Sequence, residues 1–249
     1  MSDFGAALPA LYQLDRVNGW SIGMRAVTHA LLDRVSLPAG PILELGCGSG
    51  VFNAELQRRY PDRPVLGVDL HPLALAYARQ TGRQPPTLVR ADLQRLPFES
   101  KSVSAILALD TFDQYGVDLR AALSESWRSL QPQGVLLLRV SAHPWLEGEH
   151  DMAFNTGRRY RRAELVHWLE STGFVAERVT FANALLSPPL VALRLLQRWG
   201  GLALDDTSFA DSPINRLFAR VLTLEARWLR YADFGFGISL YAVARKRVA

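Results

Sequence analysis

The chain contains very little cysteine. Cys47 is the only one among 249 residues, so no intramolecular disulfide can form and a disulfide-stabilised secreted fold is excluded. The sequence has no charged start followed by an apolar core, and no apolar run approaches about eighteen residues. We therefore predict a soluble, cytoplasmic protein. With 49% hydrophobic and 21% charged residues, the composition suits one domain with its own core.

Features typical of metal and nucleic-acid sites are also missing. No carboxylates are spaced for a metal, so we predict no metal, and Asp205-Asp206 suit a turn or a helix cap. The formal net charge is +4, but the arginines around Tyr160 in the run 158–162 are too few for a nucleic-acid groove. They suit an anionic group on a small substrate, anionic lipid headgroups or a solvated helix start. We expect no nucleic-acid partner.

The clearest signal is the run Pro41–Phe52, PILELGCGSGVF. An apolar strand ends near Glu44 and is followed by a loop with Gly46, Gly48 and Gly50. Glycines let the backbone approach a ligand, and the next helix offers unpaired N–H groups. The next strand, PVLGVDL, places Asp69 where a carboxylate can bind both hydroxyls of a ribose. Together they predict a site for an adenosine-containing ligand.

Strands and helices then alternate. The strand TLVRADL ends in Asp92-Leu93, the strand SVSAILALD ends in Asp110, and GVLLLRVSA follows a turn at 130–134. Alternation of this kind predicts an α/β fold with a Rossmann-like, seven-stranded and mostly parallel sheet. Its last strand, GISLYAVARK, is expected to be antiparallel, as in the family that these motifs resemble.

These motifs in this order resemble the class I S-adenosylmethionine-dependent methyltransferases of the type 11-like kind. The resemblance implies that the glycine loop accepts the methionine portion of the cofactor, that Asp69 binds the ribose and that Asp92-Leu93 hold the adenine. Glu44 would order the loop or approach the amino-acid moiety. The cofactor is expected to be S-adenosylmethionine, with S-adenosylhomocysteine as product. Its expected contacts are Glu44, Gly46, Cys47, Gly48, Gly50, Asp69, Leu70, Asp92, Leu93 and Leu109.

An NAD(P)-dependent Rossmann oxidoreductase is the alternative use of such a turn. A short-chain dehydrogenase would normally carry Tyr-x-x-x-Lys, and none of the tyrosines has lysine four residues later. Other dehydrogenase families lack this pair, so the alternative stays open.

The flanks resemble a narrower bacterial group of methyltransferases with a helical insertion before the last strand. The leading segment of that group is matched by Tyr12, Asp15-Arg16, Trp20 and Arg25, and its later segments by His150-Asp151, 158–160 and 239–246. Asn18-Gly19 and Asn155-Thr156 stand where the group has other residues, among them histidines. The departure implies either a different acceptor or a catalytically silent cofactor-binding or interaction protein.

The acceptor is expected at the carboxyl end of the sheet. Residues suited to contacting it or moving a proton are His150, Asp113, Tyr115, His143 and Tyr160. We predict methyl transfer to a small, aromatic or lipophilic acceptor, at an undetermined O, N or C atom, by a monomer or homodimer.

The predicted layout is one domain over residues 1–249. It has a helical cap at 1–40, a cofactor-binding core at 41–143, a substrate loop at 144–160 and a helical lid at 185–235. The lid's apolar faces either pack on the domain or contact a lipophilic substrate or a membrane surface.

Overall fold

The computed structural model describes residues 4–82, 86–148, 151–152, 154–192 and 212–247. The strands are β1 (Ile42–Leu45), β2 (Val65–Asp69), β3 (Thr87–Arg90), β4 (Val103–Leu109), β5 (Leu130–Ser141), β6 (Phe174–Ala182) and β7 (Ser239–Lys246). The helices are α1 (Phe4–Leu14), α2 (Gly19–Leu32), α3 (Val51–Arg59), α4 (Pro72–Arg79), α5 (Leu119–Ser129), α6 (Arg162–Ser171) and α7 (Pro213–Leu229), with a 3-10 turn at Pro144–Leu146.

All seven strands join one sheet in the order β3-β2-β1-β4-β5-β7-β6. The first five strands pair in parallel, and β7 runs antiparallel to both β5 and β6. This confirms the predicted Rossmann-like fold and its antiparallel last strand. The loops after β1, β2, β3 and β4 therefore meet at one edge of the sheet, where the predicted site residues lie.

Some predicted strand boundaries were wrong. β5 begins at Leu130, which pairs with Val103, so the segment predicted to be a turn before the strand is the irregular start of the strand itself. Gln133 has a φ of +64° within it. β3 ends at Arg90 and β4 at Leu109, so Asp92 and Asp110 belong to the loops that follow.

The core lies on both faces of the sheet. One layer packs α5 and α6 against β4, β5 and β6, around residues such as Leu123 and Leu169. The other packs α2, α3 and α7 on the opposite face, around Met24, Leu56 and Leu222. Strands covered on both faces read as nearly continuous apolar runs, as β4 does.

The two helices of the cap are present, and α2 lies directly on α7. Gly19 and Gly23 make this possible, because a β-carbon at Gly23 would lie 2.3 Å from Leu222 Cβ. The Gly19 N–H donates to Asn215 Oδ1 at 2.5 Å. Gly19, one of two neighbouring residues at which the sequence differs from the narrower bacterial group, is thus needed for this helix contact. The other, Asn18, caps α2 with its side chain.

The lid is described in part. Residues 187–192 are helical, and the rest of the first predicted lid helix and Asp205-Asp206 lie outside the described residues. Glu225 of α7 is buried and accepts the Leu185 N–H at 2.7 Å, which ties α7 to the turn after β6. None of the helices over the described ranges is long and apolar enough to cross a membrane.

Candidate cofactor and acceptor site

The loop between β1 and α3 is shaped by close backbone contacts. A β-carbon at Gly46 would lie 2.4 Å from Thr111 Oγ1, and one at Gly50 would lie 2.7 Å from Ala78 Cα. Both glycines have positive φ, at +70° and +74°. Only glycine fits such positions without strain, so the loop can present its backbone to a ligand at the start of α3. Thr111 was not predicted as a site residue, because Thr111 and Gly46 are far apart in the sequence.

Asp69 is held beside this loop at the end of β2. Its Oδ2 accepts the Gly48 N–H at 3.0 Å and its Oδ1 accepts the His71 N–H at 2.9 Å. Burial raises the pKa of the Asp69 carboxyl, while these N–H groups favour its charged form. Each oxygen keeps a lone pair, so the carboxylate can also accept hydrogen bonds from a diol.

Glu44 lies in β1, immediately before the loop. Its carboxyl group is buried, and its Oε2 has no hydrogen-bond partner among the described residues. Burial raises the pKa of Glu44 well above its ordinary value; the Asn53 side chain opposes this rise, and the nearby charges of Asp15 and Asp69 add to it. A buried acceptor without a donor costs about 1 to 3 kcal/mol, so Glu44 is suited to a ligand that brings a cationic donor.

Asp92 and Leu93 lie at the same edge, just beyond β3. Asp92 Oδ1 accepts the Gln94 N–H at 2.8 Å, and this turn fixes the carboxylate. Leu93 packs against the core, and Leu109 lies at the end of β4. Leu70 follows Asp69 and is 61% exposed, which leaves its apolar side chain available to a flat ring.

Cys47 is buried within the loop. Its Sγ would lie 2.9 Å from a β-carbon placed at Gly67 of β2, and burial raises the pKa of the thiol. A protonated, buried thiol is a poor nucleophile, and its small size suits the narrow space beside β2.

The N-terminal cap is attached to the glycine loop by several contacts. Ser49 Oγ donates to Asp15 Oδ2 at 2.5 Å, and Arg25 Nη1 pairs with Asp15 Oδ1 at 3.2 Å. Arg16 Nη2 donates to Thr81 Oγ1 at 3.0 Å, and Thr81 in turn donates to the Ser49 carbonyl at 2.8 Å. The leading segment noted in the sequence therefore closes over the loop.

Tyr12 belongs to the same closure. Its ring lies 3.5 Å from the β-carbon position of Gly48 and its centroid lies 5.4 Å from that of Tyr77. Burial raises the pKa of the Tyr12 hydroxyl, and the Asp69 carboxylate adds to the effect. Tyr12 was not among the predicted cofactor contacts, although the leading segment contained it.

Asp113 is the most perturbed of the predicted acceptor-side residues. It is buried beyond β4, and its Oδ2 accepts the Ser141 N–H at 2.7 Å. Burial, together with the charge of Asp110, raises its pKa to about 7. Asp110 itself forms a two-pronged ion pair with Arg139, at 2.7 Å and 2.5 Å.

The predicted substrate loop packs against the segment around Asp113. The Asp113 carbonyl accepts the Gly157 N–H at 2.7 Å, and the Tyr115 N–H donates to the Asn155 carbonyl at 3.0 Å. The Tyr115 side chain is 55% exposed. Asn155 has a φ of +57°, a conformation that asparagine adopts more readily than most residues. The two segments predicted to face the acceptor are thus adjacent.

Tyr160 and His143 lie deeper. Tyr160 is in the core with its hydroxyl 3.5 Å from the Phe112 carbonyl, and burial raises its pKa to about 12. His143 follows β5 with a φ of +61°, and its ring stacks on those of Phe181 and Phe236. Burial lowers the pKa of His143, so its imidazole is neutral near pH 7, and its Nε2 has no partner among the described residues.

His150 lies outside the described residues. Its neighbour Asp151 forms a buried ion pair with Arg159, whose Nε lies 2.7 Å from Asp151 Oδ2, and Arg159 also donates to the Ala142 carbonyl at 3.0 Å. Asp151 therefore secures the substrate loop to the end of β5. Within the described ranges, no three His, Cys, Asp or Glu side chains are grouped so as to hold a metal ion.

Comparisons with known proteins agree with this geometry. Residues 43–138 match the family described as a methyltransferase domain. The chain is 33% identical over 138 residues to demethylmenaquinone methyltransferase of Deinococcus radiodurans, covering 54% of this chain and 57% of that protein. It is 36% identical over 97 residues to malonyl-(acyl-carrier protein) O-methyltransferase of Dechloromonas aromatica, covering 39% of this chain and 35% of that protein. The chain thus spans less than two thirds of the length of these relatives.

A solved structure matches over nearly the whole chain. It is a chain from the complex between the Haloferax volcanii Trm112 methyltransferase activator and a methyltransferase, with a TM-score of 0.62 and 21% identity over 99% of this chain and 97% of that chain. At this identity the match supports the fold alone. The glycine loop, the strand order and the matched family together identify residues 43–138 as a domain of the class I S-adenosylmethionine-dependent methyltransferase kind.

Proposed function

We propose that this protein transfers a methyl group from S-adenosylmethionine to a small aromatic or lipophilic acceptor. The observation that carries the proposal is the set of carboxylates around the glycine loop, above all the Oε2 of buried Glu44, which has no partner among the residues that the structure describes. When bound, S-adenosylmethionine supplies an electrophilic methyl group on a sulfonium; it also carries an ammonium group. A cationic ligand of this kind suits a loop surrounded by Asp15, Glu44 and Asp69.

Each carboxylate has a separate task in this proposal. Glu44 accepts a hydrogen bond from the ammonium group, and Asp69 accepts from the ribose hydroxyls. Asp92 and Leu93 hold the adenine from the neighbouring loop. The cap, fastened by Asp15 on Ser49, excludes water from the site, and this strengthens the charge interactions within it.

The acceptor is proposed to lie between the cap, the segment 113–115 and the substrate loop. Exposed aromatic side chains border this region, among them Tyr115, Trp145 and Phe154. They favour a ring or a lipophilic tail over a strongly polar substrate. The relatives named above act on different acceptors by their names, so the acceptor's identity rests on these side chains.

Asp113 is the preferred proton acceptor for a hydroxyl or a carbon acid. With a pKa of about 7 it is substantially ionised near neutral pH and still basic enough to take a proton. Methylation of an amine requires no such base, because most of the rate enhancement comes from positioning. His143, with its neutral ring, is the second choice.

Calorimetric binding of S-adenosylmethionine, S-adenosylhomocysteine and a nicotinamide dinucleotide to the same preparation tests the proposal. Micromolar binding of the two sulfur ligands alone supports it. Binding of the dinucleotide alone would contradict the proposal and favour an NAD(P)-dependent oxidoreductase.

A catalytically silent cofactor-binding protein is the second candidate, favoured by Asn155 and Thr156 in place of histidines. Here Asn155 occupies a left-handed turn and Thr156 donates its N–H to the Asp151 carbonyl at 2.7 Å. Both therefore have a structural task in the loop. Release of S-adenosylhomocysteine with any acceptor in a screen of aromatic and lipophilic compounds would exclude this candidate.

A further inference from the structure

The outer surface of α7 carries an apolar stripe. Its exposed members lie three, seven and four residues apart along the helix and are Ile214, Leu217, Leu224 and Trp228, followed by Tyr231 beyond the helix end. Leu217 and Leu224 are each 54% exposed and Trp228 is 55% exposed. This is a second apolar face, because Leu222, Ala226 and Leu229 already face the core.

Arginines lie beside the stripe along the same helix. Arg216, Arg220 and Arg227 are exposed, and none of them forms an ion pair with another residue that the structure describes. Arg230, at the helix end, pairs with Asp33 at 3.2 Å. The only acidic residue of α7 is Glu225, which is buried against the turn after β6. The exposed surface of this helix is therefore apolar on one side and purely cationic on the other.

We propose that this face of α7 docks on an anionic phospholipid membrane surface. An apolar stripe beside unpaired arginines, ending in Trp228 and Tyr231, has the character of helices that lie in the membrane–water interface. The apolar side chains enter the boundary of the acyl chains, while the guanidinium groups bind the lipid phosphates. Arg216, Arg220 and Arg227 have no ion-pair partner among the described residues, so a purely apolar partner would give them no counter-charge, and the helix has no exposed acid to attract a basic partner.

The position of the stripe relates it to the site. The first turn of α7 contacts the first turn of α2 through Gly19 and Asn215, and the neighbouring Trp20 ring lies 5.2 Å from the Arg139 guanidinium at the sheet edge. The start of α7, which carries Ile214 and Leu217, therefore lies near the carboxyl edge of the sheet. Membrane docking does not depend on catalysis and is tested without a methylation assay.

Flotation of the full chain with phosphatidylcholine vesicles, with and without phosphatidylglycerol, tests the proposal. We expect binding to the anionic vesicles that weakens as salt is raised. Leu217→Glu combined with Leu224→Glu should weaken it by about tenfold or more. Replacing Arg216, Arg220 and Arg227 by glutamine should cost about fivefold for each arginine. Val175→Glu, an exposed apolar position on β6, should bind as the wild type does.

Thermal melting of each variant shows whether the substitutions themselves destabilise the fold. If the leucine variant melts early, the arginine variant alone decides, because its side chains are exposed. No binding by the wild type, or equal binding to both vesicle types, would overturn the proposal. So would a doubled mass in light scattering that the leucine variant restores to a monomer, since the stripe would then join two copies of the chain.

Discussion

Replacement of Glu44 by glutamine is the sharpest test of the cofactor site. Glutamine keeps the shape of the side chain but cannot become the carboxylate that a cationic ligand would favour, so it separates electrostatics from packing. The Glu44 carboxyl is buried, and its Oε2 has no hydrogen-bond partner in the part of the chain that the structure describes. If that oxygen accepts a hydrogen bond from the cofactor's ammonium group, the variant loses a charge-assisted interaction.

Such an interaction contributes about 1.5 to 3 kcal/mol, which corresponds to an affinity about 10- to 150-fold weaker for S-adenosylmethionine. Calorimetry measures the change directly, and S-adenosylhomocysteine should show a similar loss because it retains the ammonium group. Glu99→Gln is the matched control, since Glu99 is exposed in the loop before β4. An affinity of Glu44→Gln within twofold of the wild type would refute the reasoning.

Three further predictions concern the same edge of the sheet. Asp69→Ala should weaken binding of adenosine-containing ligands by about 1 to 3 kcal/mol in calorimetry, and unchanged affinity would contradict the ribose assignment. Gly50→Ala should lower the free energy of unfolding by more than about 1 kcal/mol, because the methyl group would lie 2.7 Å from Ala78 Cα at a φ of +74°; Gly148→Ala, which meets open space, should melt like the wild type. Burial raises the pKa of Asp113 to about 7 in the folded state. Between an ordinary carboxyl pKa and this value, the folded state therefore binds more protons than the unfolded state. The free energy of unfolding is expected to fall as the pH rises through this window. Asp113→Asn should flatten that fall in chemical denaturation at a series of pH values, whereas an unchanged slope would mean that the pKa is ordinary.

The sequence predicted the fold of the sheet well. The glycine run, Asp69 and the alternation of strands are local signals, so the parallel part of the sheet could be predicted from them, whereas the antiparallel last strand was implied by the family resemblance. Strand ends were less certain: Pro132 and Gly134 indicated a turn, yet pairing with β4 begins at Leu130. Sheet pairing across the fold overrides the local preference there.

Contacts between distant segments could not be predicted. Ser49 and Asp15 are 34 residues apart, and no local pattern in either segment predicts their hydrogen bond. The second apolar face of α7 was also hidden, because a helix with apolar residues on two sides looks simply amphipathic until one side is buried. Tyr160 shows the reverse case: it was predicted to contact the acceptor or move a proton, and the fold buries it in the core.

The glycine contact between α2 and α7 has a mechanical consequence. With Leu222 against Gly23 and Asn215 against Gly19, the two helices interlock too closely to slide past one another. α2 also carries Arg25, which grips Asp15 and Glu55 beside the cofactor loop. Because α2 contacts both α7 and the residues beside the glycine loop, a displacement of α7 would shift α2 and with it the contacts that Arg25 makes next to that loop.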